Sequence, residues 1–374
     1  MLRSRFILAG FAFTALGLSA CDGSVESTGT GGSGGGTGGS TTSGSGATSD
    51  VGIQPPDPGP EAPGDGTDTV LAIRKLYLGD TDRDGNSSTS AWKEFGFDLD
   101  GKVSTKDSKD LCKPVAGAKP SAVYEDGTDG RDNSFGKNIL PIITSLASDA
   151  STQVNDSIEG GSFTIMLKID KLGTGDNYNP LMSKLYGGAK LVDANMMEIQ
   201  PKWDGTDAWP VVPELLNGGN IEDPKVQFPK AYLVSSEGAR TWVSGGYADI
   251  TLNLSVGGFT LGLTISSAVI TTDISADNTK ASNGTIAGIL DTEQLIAELA
   301  KVAGSFDPSL CPPSSTFESI AQQIRQASDI LTDGGQDPAK DCDGISIGLG
   351  FDMQQVQLGA VAPAAEPQPN PCDM

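Results

Sequence analysis

Asp80, Asp82, Asp84 and Gly85 reproduce the opening of a calcium loop: carboxylates at alternate positions can curl round a hard cation, and a glycine permits the sharp turn. The twelfth position is Ala91, where an EF-hand carries a bidentate Glu. The segment is therefore not an EF-hand, and any site must draw further ligands from elsewhere. Asp126, Asp129, Asp132 and Asn133 repeat the Asp-rich spacing, and Asp98 and Asp100 lie between the two runs. The cofactor these residues suggest is Ca2+, with no organic cofactor implied. The same Asp-Gly and Asp-Asn pairs also form turns between strands, and both readings stand at this level.

Composition removes most other chemistry. The chain of 374 residues contains no histidine, which excludes Ser-His-Asp and Cys-His nucleophile pairs, His-based zinc sites and an imidazole switch. Neither Gly101-Lys102 nor Gly136-Lys137 is followed by Ser or Thr, so no phosphate-binding loop is formed. The Ser-x-x-Lys matches at Ser90 and Ser134 lack the Ser-Asp-Asn and Lys-Thr-Gly motifs that accompany a serine acyl-enzyme. With 25 basic and 48 acidic residues the net charge is −23, a field that repels nucleic acid and suits cations or solubility outside a cell.

Two classes of function survive these exclusions, with a third behind them. The first is a binding or structural module, with polysaccharide as one ligand: Trp203 and Trp209 could offer stacking faces beside Asp204 and Asp207, and Trp92 and Trp242 add two more rings. Aromatic residues are only 6% of the chain, however, and tryptophans in sandwiches usually pack in the core. The second is a glycan-cleaving enzyme using two carboxylates, a hydrolytic plan that needs no histidine, although nothing marks which acids would pair. The third is an accessory subunit of an envelope complex. Binding requires least and leads.

Cys112, Cys311, Cys342 and Cys372 form an even set without a Cys-x-x-Cys motif, as expected of two disulfides in an exported chain. Three pairings are open. Cys311 with Cys342 is preferred, because a staple would close the helical insertion between them, and Cys112 is then left for Cys372.

Those side chains have to be held by a scaffold, and periodicity indicates a mainly β one. Phe163, Ile165, Leu167 and Ile169 alternate with polar neighbours, the period-two pattern of a half-buried strand. Thr251 to Thr272 carries no charge, but its alternation breaks at Gly257-Gly258, which reads as a hairpin. Similar runs at Val70 to Leu78, Ala231 to Ser235, Arg240 to Ser244 and Ile345 to Phe351 bring the count to about ten strands, enough for an antiparallel, jelly-roll-like β-sandwich. A two-helix insertion interrupts it near residues 291–333. Asp291 caps a first helix ending at Gly304, and Ser315 with Glu318 makes a capping box for a second, whose Phe317, Ile320, Ala321, Ile324, Ala327 and Leu331 share one face. That face is expected to pack on the sandwich.

The N-terminus carries Arg3 and Arg5, then an apolar run from Phe6 to Leu18 that is shorter than the roughly 20 residues of a membrane span. It ends in Leu18-Ser19-Ala20-Cys21, which resembles the lipobox of bacterial lipoproteins. The resemblance implies a signal peptide over 1–20, lipidation of Cys21 and attachment to a bilayer through N-terminal acyl chains. Residues 21–66 are rich in Gly, Ser and Thr and then in Pro, and read as a disordered linker with a reach of about 35–40 Å. The sandwich is expected over 67–361, and a Pro-rich tail over 362–374. The tether, the segment Asp129-Gly130-Arg131-Asp132-Asn133-Ser134-Phe135-Gly136 and the segment Cys342-Asp343-Gly344-Ile345-Ser346-Ile347-Gly348 resemble uncharacterised lipoproteins of myxobacterial envelopes. That resemblance implies a β-rich fold in the cell envelope, facing periplasm or cell surface. It brings no activity with it. Apart from it, the function classes above point to polysaccharide or another envelope protein as partner. Asp22 resembles the inner-membrane retention signal of enteric lipoproteins, which leaves either membrane open.

Overall fold

Alternating apolar residues form twelve strands among the described residues of the computed structural model, which are 51–256, 259–364 and 370–373. They are β1 (Thr67–Tyr77), β2 (Thr164–Leu172), β3 (Ser183–Gly188), β4 (Ala208–Val211), β5 (Val226–Phe228), β6 (Tyr232–Ser236), β7 (Ala239–Val243), β8 (Ala248–Val256), β9 (Phe259–Ile274), β10 (Lys280–Asp291), β11 (Gly344–Gln355) and β12 (Gln357–Val361). All belong to one hydrogen-bonded sheet ordered β12-β4-β3-β2-β1-β11-β10-β9-β7-β6, with β5 on β3 and β8 on β9. The fold is mainly β, as expected. Two meanders, β4 back to β1 and β11 back to β6, meet where β1 pairs antiparallel with β11.

The second layer comes from a strand that changes partners. The first half of β9 pairs with β8, while Thr271 to Asp273 pair with β7. Between the halves, Ser267 takes a left-handed conformation (φ 51°) and the β10 register slips. This bulge lets the β8–β9 hairpin swing over β2 and β3, so that Ile250 and Leu252 face Ile165, Leu167 and Leu185 across the interior. One sheet thereby covers itself, and the layers of the sandwich are continuous through β9.

β11 is buried on both sides. Ile345, Ile347, Leu349 and Phe351 enter the main core, and the opposite face presents Gly348 and Gly350 to Phe95. A Cβ on Gly348 would lie 2.4 Å from the Phe95 carbonyl oxygen, so glycine is what admits the loop. Beyond the end of β1 the backbone of Gly348 would lack a neighbour. Asn133 replaces the missing strand: its Oδ1 accepts from Gly348 N (3.0 Å), and its Nδ2 donates to Gly348 O (3.0 Å).

The described residues form five α-helices, α1 (Pro120–Val123), α2 (Leu140–Leu146), α3 (Ala150–Glu159), α4 (Thr292–Phe306) and α5 (Ser315–Arg325), of which α3 packs on β1 and β8, α4 on β9 and β10, and α5 on α4. Asp291 caps α4 by accepting from Gln294 N (2.8 Å), as its sequence indicates, although the helix runs past Gly304 to Phe306. The cap of α5 is Ser314 rather than Ser315, with its Oγ accepting from Phe317 N (3.2 Å). Phe317, Ala321 and Ile324 turn inward, while Ala327 and Leu331 lie beyond the helix and are buried there.

Two expectations are corrected. Cys112 is joined to Cys342, and Cys311 to Cys372. Sequence proximity misleads because Lys113 forms a parallel bridge with Asp341, which brings Cys112 beside the start of β11. The linker also ends sooner than composition indicates. From Val51 the Pro-rich stretch is tied to the domain: Asn179 Nδ2 donates to Gly59 O (2.8 Å), Tyr232 Oη to Pro56 O (2.6 Å), and Ala62 bridges Asn179. Prolines need no donor partner, so their carbonyls suffice to fasten such a strap. Cys21 and residues 1–50 lie outside the described residues.

Candidate metal centre

The loops that precede and follow the Asp126–Asp132 segment converge on the start of β11. Asp98, Asp100 and Asp132 each place a carboxylate oxygen within 4.8 Å of the others. Backbone donors aim them. Asp98 Oδ1 accepts from Gly101 N (2.7 Å) and Lys102 N (3.0 Å), and its Oδ2 from Gly52 N (2.6 Å). Asp132 Oδ2 accepts from Leu99 N (2.7 Å), while Asp132 N donates back to Phe97 O (3.0 Å). Asp100 takes Lys102 N on one oxygen (2.8 Å) and Gln336 Nε2 on the other (2.7 Å).

Asp126 and Asp329 complete the acidic group. Asp126 Oδ2 accepts from Ser104 N, and the buried Ser104 hydroxyl has no hydrogen-bond partner. Asp329 is held from β11, by Ser346 N (2.9 Å) and Ser346 Oγ (2.5 Å). Burial is the main cause that lifts the carboxyls of Asp100, Asp126, Asp132 and Asp329 out of their usual range, and repulsion from acidic neighbours adds to it. Asp100 is raised to about 6, Asp329 to about 7 and Asp126 to about 8, and Asp132 lies well above its ordinary value. Among the described residues no salt bridge reaches any of the five. The nearby ammonium of Lys102 goes to Asp110 (2.5 Å), and that of Lys137 to Glu125 O (2.8 Å). An all-oxygen donor set, left with negative charge once its acids ionise, favours a hard divalent cation over the borderline metals that take nitrogen and sulfur.

Of the residues that sequence spacing marks, only some meet. Asp126 and Asp132 enter the cluster, along with Asp98 and Asp100. Asp129 is exposed and pairs with Arg131 (3.2 Å). Asn133 spends both ends of its amide on backbone groups, with Gly136 N also on its Oδ1 (2.9 Å), and is a structural cross-link rather than a ligand.

The Asp80–Asp84 oxygens do not converge among the described residues. Asp82 Oδ1 accepts from Asp84 N (3.1 Å) and Asn86 N (2.8 Å), so this carboxylate closes its own turn. Arg83 fastens that turn to β10 through Gly284 O and Thr285 Oγ1 (both 3.0 Å). Asp329 carries no local motif and reaches the cluster only through the fold.

The aromatic patch is likewise reassigned. Trp203 and Trp209 are 6% and 0% exposed, and they pack on each other with centroids 5.8 Å apart. Asp207 is buried, accepting from Lys202 N (3.0 Å) and Trp203 N (2.7 Å), and Asp204 accepts from Thr206 N (3.0 Å) in a turn. Trp92 and Trp242 are buried as well, so none of the four rings is a stacking platform. No protein-family model matches the chain, and no curated protein or solved structure does so either.

Proposed function

We propose that this chain is a lipid-anchored module of the cell envelope, acting in binding or in structure, whose fold is stabilised by a Ca2+ ion held at Asp98, Asp100 and Asp132 with Asp126 beside them. The observation that carries the reading is the convergence of buried and half-buried carboxylates, aimed by backbone N–H groups and, among the described residues, joined by no side-chain cation in a salt bridge. Two disulfides fit an oxidising compartment, and no helix among the described residues is long and apolar enough to cross a membrane. The two-carboxylate hydrolase has less support, since these acids are buried together rather than spaced across an open cleft.

Calcium at about 10 mM, ten- to a hundredfold above the dissociation constants usual for extracellular sites, should add about 1.4–2.7 kcal/mol to folding. In a domain of this size that is a rise in melting temperature of several degrees. Asp132→Asn should abolish the rise, whereas Asp82→Ala combined with Asp84→Ala should leave it in place. Identical melting curves for the wild type in calcium and in chelator would remove the metal from this reading. The anchor is tested separately. Cys21→Ser should lose palmitate labelling and leave the membrane fraction, and a labelled, membrane-bound Ser variant would rule out lipidation there.

A further inference from the structure

Where the β8–β9 hairpin diverges from β2 and β3, the interior of the sandwich opens into a cleft of about 720 Å3. Its floor is Phe163, Ile165 and Leu185, half-buried side chains that pack against the main core. Ile165 and Leu185 also line the small void beneath Ile250 and Leu252, so the floor of the cleft continues the closed core. Leu215 and Val226 form a second apolar wall, and α4 brings Val302 to a third side. Volume, concavity and apolar lining fall within the range of small-molecule sites, which often occupy the mouths of β-barrels.

Charge at this cleft runs against the rest of the molecule. The chain as a whole carries 25 basic and 48 acidic residues, yet the charged residues lining the cleft are Lys190 and Lys301 against the single acid Glu214. Both lysines sit in exposed pairs, Lys190 with Glu198 (2.8 Å) and Lys301 with Glu298 (2.5 Å). Exposed pairs contribute little, so an anionic ligand can take over these ammonium groups at small cost. The lone carboxylate also denies the cleft the acid pair a glycosidase requires.

We propose that this cleft binds a free long-chain carboxylate, its alkyl chain lying along Ile165 and Leu185 and its anionic head meeting Lys190 and Lys301. The site shares no residue with the acidic cluster and does not depend on calcium.

Titration of the full chain with dansylaminoundecanoate, followed by fluorescence and displaced by oleate or by oleyl alcohol, tests it. Saturation at one site per chain is expected, with oleate displacing the probe better than the neutral alcohol. Leu215→Asp places a charge against the chain, and Thr251→Trp fills the cleft from an exposed position on β8; each should weaken binding about tenfold or more while melting temperature is kept. Lys190→Glu with Lys301→Glu should weaken oleate several-fold and leave oleyl alcohol unchanged. Absence of saturable fluorescence, unaltered affinity in both Leu215→Asp and Thr251→Trp, or equal displacement by acid and alcohol would overturn the proposal. Binding seen only with intact phospholipid vesicles would overturn it too, by assigning the cleft to a membrane.

Discussion

In the presence of chelator the folded state is expected to lose stability as pH rises from about 4 to about 8, the reverse of the usual behaviour of paired carboxylates. Asp126 and Asp329 ionise at about 8 and about 7 in the fold, against about 3.9 in an unfolded chain. Between those limits the native state holds protons that the unfolded state has released, so unfolding becomes easier with each step up in pH through about 8. Asp100, raised to about 6, gives up its share in the lower part of that window. Each unit corresponds to about 1.4 kcal/mol, so even a fraction of these shifts amounts to several kcal/mol.

Calcium bound as proposed would replace those protons. Its stabilisation should therefore grow with pH, flattening or reversing the slope. Asp132→Asn separates metal binding from simple packing, because it should stabilise the chelated protein at pH 8 by removing an acid whose ionisation burial, and then its acidic neighbours, oppose, while abolishing the calcium response. Denaturant melts at pH 5 and pH 8, with and without calcium, read both effects. A chelated protein that gains stability over this interval would show that the five carboxyls are not crowded as described.

The β8–β9 hairpin is the clearest in the sequence, because Leu252, Leu254, Leu261 and Leu263 face the core while Thr251 beside them lies exposed. β1 and β2 alternate in residue type only over short runs, since both faces are covered and Leu71, Ala72 and Ile73, like Met166 and Leu167, are buried in succession. β10 is harder to see, since Thr285 to Leu290 is buried without a break and a bulge lies between Ala281 and Gly284. β3 ends in two glycines and α3 carries few apolar residues, so neither has a strong periodic signal.

At the candidate site the same limit applies to chemistry. Asp-x-Asp-x-Asp-Gly can either wrap a cation or close its own backbone turn, and at Asp82 the backbone N–H groups prevail. Asp126 and Asp132 were legible because they are close in sequence, whereas Asp329 reaches them only when β11 supplies Ser346. Tryptophan in a loop rich in Asp and Gly looks like a ligand surface until burial of Trp203 and Trp209 places the rings in the core.

Removal of the Cys112–Cys342 disulfide is expected to have the largest effect of any covalent change. The bonded residues are 230 apart in sequence, and closing a loop of that size corresponds to about 5 kcal/mol of chain entropy in the unfolded state. Cys311–Cys372, with a separation of 61, corresponds to about 4 kcal/mol. The sharper distinction lies in what each bond supports. Cys112 N donates to Gln336 Oε1 (2.7 Å), and the same amide donates from Nε2 to Asp100 Oδ2, so the first disulfide holds the side chain that aims a candidate ligand. The second joins the chain end to the residues just after α4, and Cys311 and Cys372 both lie against Gly304. Cys112→Ala with Cys342→Ala should therefore lower both the denaturation midpoint and the calcium-dependent rise, while Cys311→Ala with Cys372→Ala should lower the midpoint and keep the rise. Denaturant melts with and without calcium on the two double variants read the difference. A calcium response that survives loss of Cys112–Cys342 unchanged would show that Gln336 does not position Asp100.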